Sequence, residues 1–265
     1  MPAIRLVTFD VLHTIIAPRL PIHVQYSQVF SPYIGVLQPE RIKQSFKVAL
    51  KALQKQHPSY NKGAEHWWRD VIRRTALDAG ANEQALNRHL TDIVNTLMTR
   101  FSSKEGYRAC DDAIPTIRRL RDEFGIRTAV VSNGDSRIRA VLEDLGFPIY
   151  LNPIVLSEEE GIEKPSPDIF MKALEFVNTD AESSEGNIHP SECLHVGDEL
   201  TCDYNGAKTV GWDALLLRRV GVAGEFEHKE LDENLENIQV IHDLESVIDW
   251  VQRKVECGGV NSELM

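Results

Sequence analysis

Ile126-Arg127-Thr128-Ala129-Val130-Val131-Ser132-Asn133-Gly134 is the stretch that decides the fold of this chain. Its first six residues are mostly apolar or β-branched, as suits a parallel strand covered on both faces, and Ser132-Asn133-Gly134 is a turn that ends it. On the N-terminal side, Asp111-Asp112 followed by Ile114, Ile117 and Leu120 predicts a capped helix closed by Gly125. On the C-terminal side, Ser136 to Leu145 predicts a helix closed by Gly146. The same unit recurs beyond it, with a short strand from Pro153 to Leu156 and a helix from Pro167 to Val177 that begins beside Lys164-Pro165. Asn178 to Pro190, rich in Asp, Glu, Ser and Asn, predicts a surface loop. Cys193 to Val196 is a further strand, ending at Gly197-Asp198; Ala214 to Leu217 is another, and Leu244 to Lys254 a last helix. Far upstream, Ile4 to Phe9 has the same buried-strand composition and ends at Asp10. Strands alternating with helices imply right-handed crossovers, hence an α/β fold with a Rossmann-like, doubly wound parallel sheet.

Between that first strand and Tyr107 the pattern changes. Ile42, Phe46, Ala49, Leu50 and Leu53 repeat at helical spacing after Pro39-Glu40, and Trp68, Val71, Ile72 and Thr75 do the same. A third stripe is Leu86, Leu90, Ile93, Leu97 and Phe101. The expected division is a core of residues 1–15 and 108–265, with a helical cap domain, residues 16–107, inserted after the first strand; about 90 residues is the size of a small domain. Trp67 and Trp68 cannot share one stripe, so one is expected in the core of the insert and the other at its junction with the main domain.

The 265 residues carry 29 Lys and Arg against 40 Asp and Glu, a net charge of −11, with 42% hydrophobic residues. Such a chain buries a substantial core without a disulfide or metal staple. Its negative charge disfavours nucleic acid and anionic membrane as partners. An anionic substrate would therefore need positive charge concentrated locally. The four cysteines, Cys110, Cys193, Cys202 and Cys257, form no C-x-x-C pair, which argues against a zinc or disulfide framework and for a reducing compartment. No basic leader or signal-like stretch precedes Ile4, and no apolar run is long enough to span a bilayer. A cytoplasmic or nuclear location is the expectation.

In an open α/β sheet, ligands bind outside the carboxyl ends of the strands. Asp10 follows the first strand there, Ser132-Asn133 the second, and Gly197-Asp198 a later one, with Asp203 five residues on; Lys164-Pro165 precedes the Pro167 helix. Each alone has an ordinary structural explanation, as a loop cap, a turn or a surface lysine before proline. Together they converge a carboxylate nucleophile, a hydroxyl, a lysine and an acidic pair on one sheet edge, the inventory for metal-assisted transfer of an anionic group. Glu158-Glu159-Glu160 reads as a solvated turn rather than a metal site, and His195, inside a strand, as a satisfied core residue.

Phe9-Asp10-Val11-Leu12-His13-Thr14, Val131-Ser132-Asn133, Lys164-Pro165 and Gly197-Asp198-x4-Asp203 resemble, in order, the four motifs of the haloacid dehalogenase superfamily. His66 to Val71 and His195 to Tyr204 are most similar to one eukaryotic group within it. The resemblance implies a Mg²⁺-dependent hydrolase with a cap that closes over the site, acting on a small phosphorylated metabolite. Asp10 would be the nucleophile, giving an aspartyl-phosphate intermediate. Ser132 would bond an oxygen of the transferred group, Lys164 would neutralise developing charge, and Asn133 and Thr14 would contact substrate. The metal would be held by Asp10, the backbone carbonyl of Leu12, Asp198 and Asp203. One departure stands out: the superfamily's phosphatases carry a second Asp two positions after the nucleophile, as the acid that protonates the leaving group, and here that residue is Leu12. His13, one position on, is expected to point elsewhere. General acid catalysis is worth ~10²–10⁴ in rate, so the implied phosphatase is weak or specialised. Two alternatives follow from Leu12: a catalytically impaired protein that binds a ligand or partner through the same fold, and a 2-haloacid dehalogenase. The retained Asp198 and Asp203 argue against the second, since those dehalogenases are metal-free.

Overall fold

The computed structural model describes residues 3–61, 63–179, 186–221, 229 and 233–259, without the side chains of 255–259. Its elements in chain order are β1 (Leu6–Phe9), β2 (Ile16–Pro18), α1 (Ile22–Ile34), α2 (Pro39–Gln56), α3 (Ala64–Asp78), α4 (Glu83–Arg100), β3 (Tyr107–Ala109), α5 (Ala113–Asp122), β4 (Arg127–Ser132), α6 (Arg137–Asp144) and β5 (Leu151–Leu156). They continue with α7 (Ser157–Glu160), α8 (Pro167–Thr179), β6 (Cys193–Gly197), a π-helical turn (Leu200–Asn205), α9 (Gly206–Thr209), β7 (Asp213–Leu217), β8 (Val240–Ile241) and α10 (Glu245–Gly259). The chain divides into two compact units, one of residues 1–17, 109–133 and 146–265, the other of 18–108 and 134–145. β2 and β3, where the chain passes from one to the other and back, form a two-stranded sheet.

The first unit is built on a six-stranded sheet of order β5-β4-β1-β6-β7-β8. Every pairing is parallel, with Leu6 opposite Arg127 on one side of β1 and Cys193 on the other. This is the α/β, doubly wound architecture expected from the alternation. β1, β4 and β6 are buried almost throughout, which is why they read as unbroken apolar runs rather than alternating ones. Leu6, Ala129, Val131, Val155, Cys193 and Ala214 point to one face and pack with Ile169, Phe170, Ala173 and Val177 of α8. On the opposite face α5 packs on β4 and α10 on α5. The chain turns from β5 back past β1 to β6, so the order in which strands are added reverses at β1. That reversal makes the carboxyl ends of β4, β1 and β6 the crevice in which a ligand is expected.

The second unit is a helical bundle. Tyr26, Phe30, Ile42, Ile72, Leu86 and Ile93, from α1 to α4, form its main core, and a second cluster gathers Ala49, Leu53 and Val71 around Trp67. Trp67, not Trp68, therefore faces the core, and the half-buried Trp68 donates its indole N–H to Asp135 at 2.8 Å. The Arg137 guanidinium lies over the Trp68 ring, 4.8 Å from its centre, and pairs with Asp135 at 2.7 Å. It also borders a cavity walled by Ile22, Tyr26, Phe46 and Met98.

These contacts give residues 134–145 to this unit, whereas the sequence reading left them with the core. Polar contacts join both ends of this segment to the unit: Asp135 and Arg137 meet Trp68, and Asp144 meets Lys104 at 3.2 Å. Hydrophobic periodicity does not register such bonds. Of the surface loop expected over 178–190, residues 180–185 lie outside the described residues. Glu158–Glu160 lie in the single turn α7, where Glu160 faces Lys172 at 3.5 Å. No disulfide joins Cys110, Cys193 and Cys202, and among the described residues no helix is long and apolar enough to cross a membrane.

Candidate active site

Parallel pairing brings three strand ends side by side: Asp10 after β1, Ser132 at the end of β4, and Asp198 after β6. The Asp10 amide still donates to the Val196 carbonyl at 2.9 Å, so its side chain leaves the sheet from a fixed backbone. Lys164 reaches this edge from the loop before α8. Its ammonium donates to Asp10 Oδ1 at 2.6 Å, to Asp203 Oδ1 at 2.6 Å and to the Val131 carbonyl at 3.0 Å. All three of its hydrogens are thereby used, and the residue is only 3% exposed. Ser132 lies near enough to the Asp10 carboxyl to lower its pKa.

Asp203 is carried in by the π-helical turn, whose wider winding lets the amides of both Asp203 and Tyr204 reach the Glu199 carbonyl, at 2.9 and 3.2 Å. Gly197 makes room for it, since a Cβ there would stand 2.2 Å from the Asp203 carboxyl carbon. Asp10, Asp198 and Asp203 are all buried and each offers an oxygen within 4.8 Å of the others.

The electrostatics follow from two carboxylates sharing one buried ammonium, with a third, Asp198, close to both. Burial raises the Asp10 pKa; Lys164 opposes the rise and the neighbouring Asp203 charge adds to it. At Asp203 burial also pushes upward, but the Lys164 charge and the bond from His195 outweigh it and hold the carboxyl below its usual range. Burial weakens the Lys164 ammonium, yet the two carboxylates beside it more than compensate and raise its pKa. An excess of buried negative charge in a set of hard oxygen donors fits a divalent cation such as Mg²⁺. Asp10, Asp198 and Asp203 would hold it, with the Leu12 carbonyl next along the loop.

Two residues expected to touch substrate are placed otherwise. The Asn133 amide is engaged by the Lys164 backbone, accepting its N–H at 2.7 Å and donating to its carbonyl at 2.9 Å. It sets the lysine loop against the end of β4. Thr14 is fully buried, its hydroxyl has no partner among the described residues, and its carbonyl accepts from Arg219 at 3.0 Å. The half-buried Leu12 supplies no proton, and His13 adopts a left-handed backbone with φ 63°.

Sequence reasoning overlooked the groups behind this edge. Asp112, read as a helix cap, instead receives the Arg219 guanidinium at 2.8 and 2.9 Å and the Leu244 amide at 2.9 Å. Arg218 donates to the Asp198 carbonyl, and His195 contacts Asp203.

Residues 4–211 match the haloacid dehalogenase-like hydrolase family. Haloacid dehalogenase-like hydrolase domain-containing protein 3 of Bos taurus is 30% identical over 218 residues, 81% of this chain and 82% of its own. That likeness bears out the eukaryotic group suggested by the motifs. Among solved structures, the 2-haloacid dehalogenase of Pseudomonas syringae pv. Tomato superposes with a TM-score of 0.60 at 21% identity, covering 94% of this chain and 99% of its own. A phosphatase of the same superfamily from Thermococcus onnurineus gives 0.53 at 20% identity, covering 94% and 98%. The matched segment carries all four strand-end motifs in one buried cluster, and the chain belongs to the haloacid dehalogenase-like hydrolase family.

Proposed function

We propose that this hydrolase is a Mg²⁺-dependent phosphatase of narrow scope, acting in the cytoplasm on a small phosphorylated metabolite with a good leaving group. The observation that carries the reading is the buried Lys164 bridging Asp10 and Asp203, with Asp198 completing a carboxylate triad within 4.8 Å. An Oδ oxygen of Asp10 attacks phosphorus as the bond to the leaving oxygen breaks, and that oxygen departs with the electron pair. The aspartyl-phosphate formed on Asp10 is then attacked by water, which restores the carboxylate and releases phosphate. Lys164 stays protonated throughout and stabilises charge on the attacked group, while the Ser132 hydroxyl bonds one of its oxygens. A divalent cation supplies further charge neutralisation and orientation when bound. No residue at position 12 protonates the leaving oxygen, which favours acyl phosphates and other substrates whose leaving groups need little protonation.

A screen of phosphorylated metabolites with Mg²⁺, acyl phosphates included, tests this reading against Asp10→Asn. The expected result is phosphate release that EDTA and Asp10→Asn both abolish. Wild type no faster than Asp10→Asn on every compound overturns it. Leu12 favours a second reading, a binding protein that retains the fold, and turnover appearing only in Leu12→Asp supports that one. Halide release from 2-chloropropionate, indifferent to chelator, identifies a dehalogenase instead.

A further inference from the structure

Thr8 and His195 are partners in the sheet, directly opposite one another in the parallel pair β1 and β6. Both side chains lie on the face covered by α8 and both are completely buried, with the Phe170 ring edge-on to His195 at 5.1 Å. The Thr8 hydroxyl lies 2.8 Å from His195 Nδ1, and His195 Nε2 lies 3.1 Å from Oδ1 of Asp203. The same Oδ1 receives the Lys164 ammonium, while Oδ2 receives the Glu199 amide at 2.8 Å.

A dry site requires a donor and an acceptor in each of these bonds. An ionised carboxylate only accepts, so Nε2 carries the hydrogen. Nδ1 is then a lone pair, and the Thr8 hydroxyl donates to it. The opposite tautomer sets the Nε2 lone pair against Oδ1 and leaves Thr8 to donate to the Leu194 carbonyl at 3.4 Å, a long bond.

We infer that His195 is a positioning residue of the hydrolytic site: held as the Nε2–H tautomer by Thr8, it fixes the Asp203 carboxylate and, through it, the Lys164 ammonium against Asp10. Three donors occupy the two oxygens of Asp203, so the carboxylate cannot rotate toward a ligand without losing a bond. Its charge is committed to the lysine first and to a cation second. Substituting the ring frees Asp203, and the loss is felt at Lys164 and at the cation site although His195 touches neither.

The kinetic part of this inference rests on the phosphatase reading; the rest does not. In protein labelled with ¹⁵N at histidine, one of the nine histidines should show an exchange-protected Nε2–H with an unprotonated Nδ1, and the signal should vanish in His195→Gln. With p-nitrophenyl phosphate and Mg²⁺, His195→Phe, which keeps the ring packing, should lower kcat about 10–100-fold with KM nearly unchanged and weaken calorimetric Mg²⁺ binding about tenfold. His195→Gln, whose amide N–H can take the place of Nε2–H, should recover most of both losses. Thr8→Val should fall between. A hydrogen on Nδ1 in the wild type overturns the inference, as does a folded His195→Phe protein that equals wild type in kcat and Mg²⁺ affinity. If wild type turns over no faster than Asp10→Asn, the phosphatase reading fails alone, and the tautomer and Mg²⁺ affinities still decide the role of His195. Should His195→Phe not fold, the tautomer and Thr8→Val decide it.

Discussion

Leu12 lies in the loop after Asp10, and its side chain offers the departing oxygen nothing. A carboxylic acid introduced there should raise turnover selectively. Leu12→Asp is expected to increase kcat on an alkyl phosphate by about 10²–10⁴ and to change hydrolysis of acetyl phosphate little, since that leaving group needs no proton. Phosphate release on the two substrates checks this, and an equal gain on both would mean that position 12 acts on something other than the leaving group. Gly197 sets a different limit. Its hydrogen faces Asp203 where a Cβ would stand 2.2 Å from the carboxyl carbon, so Gly197→Ala must push that carboxylate off Lys164. The expected cost is about 1–3 kcal/mol in unfolding free energy together with loss of Mg²⁺ binding, measured by denaturant titration and calorimetry. Asp10, Ser132 and Asp198 were legible in the sequence because strand-end residues are where an open sheet presents its chemistry, and Lys164 and Asp203 because their spacing completes the motif order. Asp112, Arg218 and Arg219 were not, since their partners come from loops remote in the chain. His195 was read correctly as a satisfied core residue, but what satisfies it is one of the site's own carboxylates, a fact that depends on the turn after β6.

The strand and helix series was readable in outline because each element carries its own period, and the elements that escaped are those without one. β2, β3 and β8 are only two or three residues long. α1 has Pro32 inside it and Pro21 at its start, both of which read as breaks, although Tyr26, Val29 and Phe30 form a buried stripe. The π-helical turn has no sequence signature. The sequence predicts α6 as a helix; at its start Asp135, in the second unit, takes two guanidinium hydrogens and the amide of Arg137 and the indole N–H of Trp68. Burial alone would raise the Asp135 pKa, but the bonds and charge of Arg137 outweigh it and depress the carboxyl below its ordinary 3.8. A depressed carboxylate stabilises the fold above the unfolded pKa, and that contribution is lost as pH falls through the folded value. Asp135→Asn should therefore cost about 2 kcal/mol near neutrality. The wild-type and variant melting temperatures should differ above the ordinary carboxylate pKa and converge only as pH falls below it. Parallel curves through that range would show that the carboxylate's charge is not what holds α6.

At the scale of the whole molecule, a net charge of −11 is self-repelling, so screening by a simple salt such as NaCl is expected to stabilise the fold whatever the protein binds. The buried carboxylates of Asp10, Asp198 and Asp203 add a response that screening cannot give, because burial excludes the ionic atmosphere and only a cation in contact relieves them. The two are separable by comparing MgCl₂ with NaCl at equal ionic strength. Both salts should raise the melting temperature, and MgCl₂ should add a saturable increment. At a concentration about 100 times the dissociation constant, a ligand confined to the native state contributes about 2.7 kcal/mol. For a chain of this size that is a rise of about 5–10 °C. Asp198→Asn leaves the overall charge almost intact and removes one oxygen anion from the cluster, so it should abolish the Mg²⁺ increment and keep the NaCl response. Equal increments in wild type and Asp198→Asn would assign the effect to the surface and remove the cation from the site. An increment lost in Asp198→Asn but retained in a surface charge variant such as Glu159→Gln would place the cation among the buried carboxylates, where its charge and that of Lys164 let an acidic protein admit an anionic substrate.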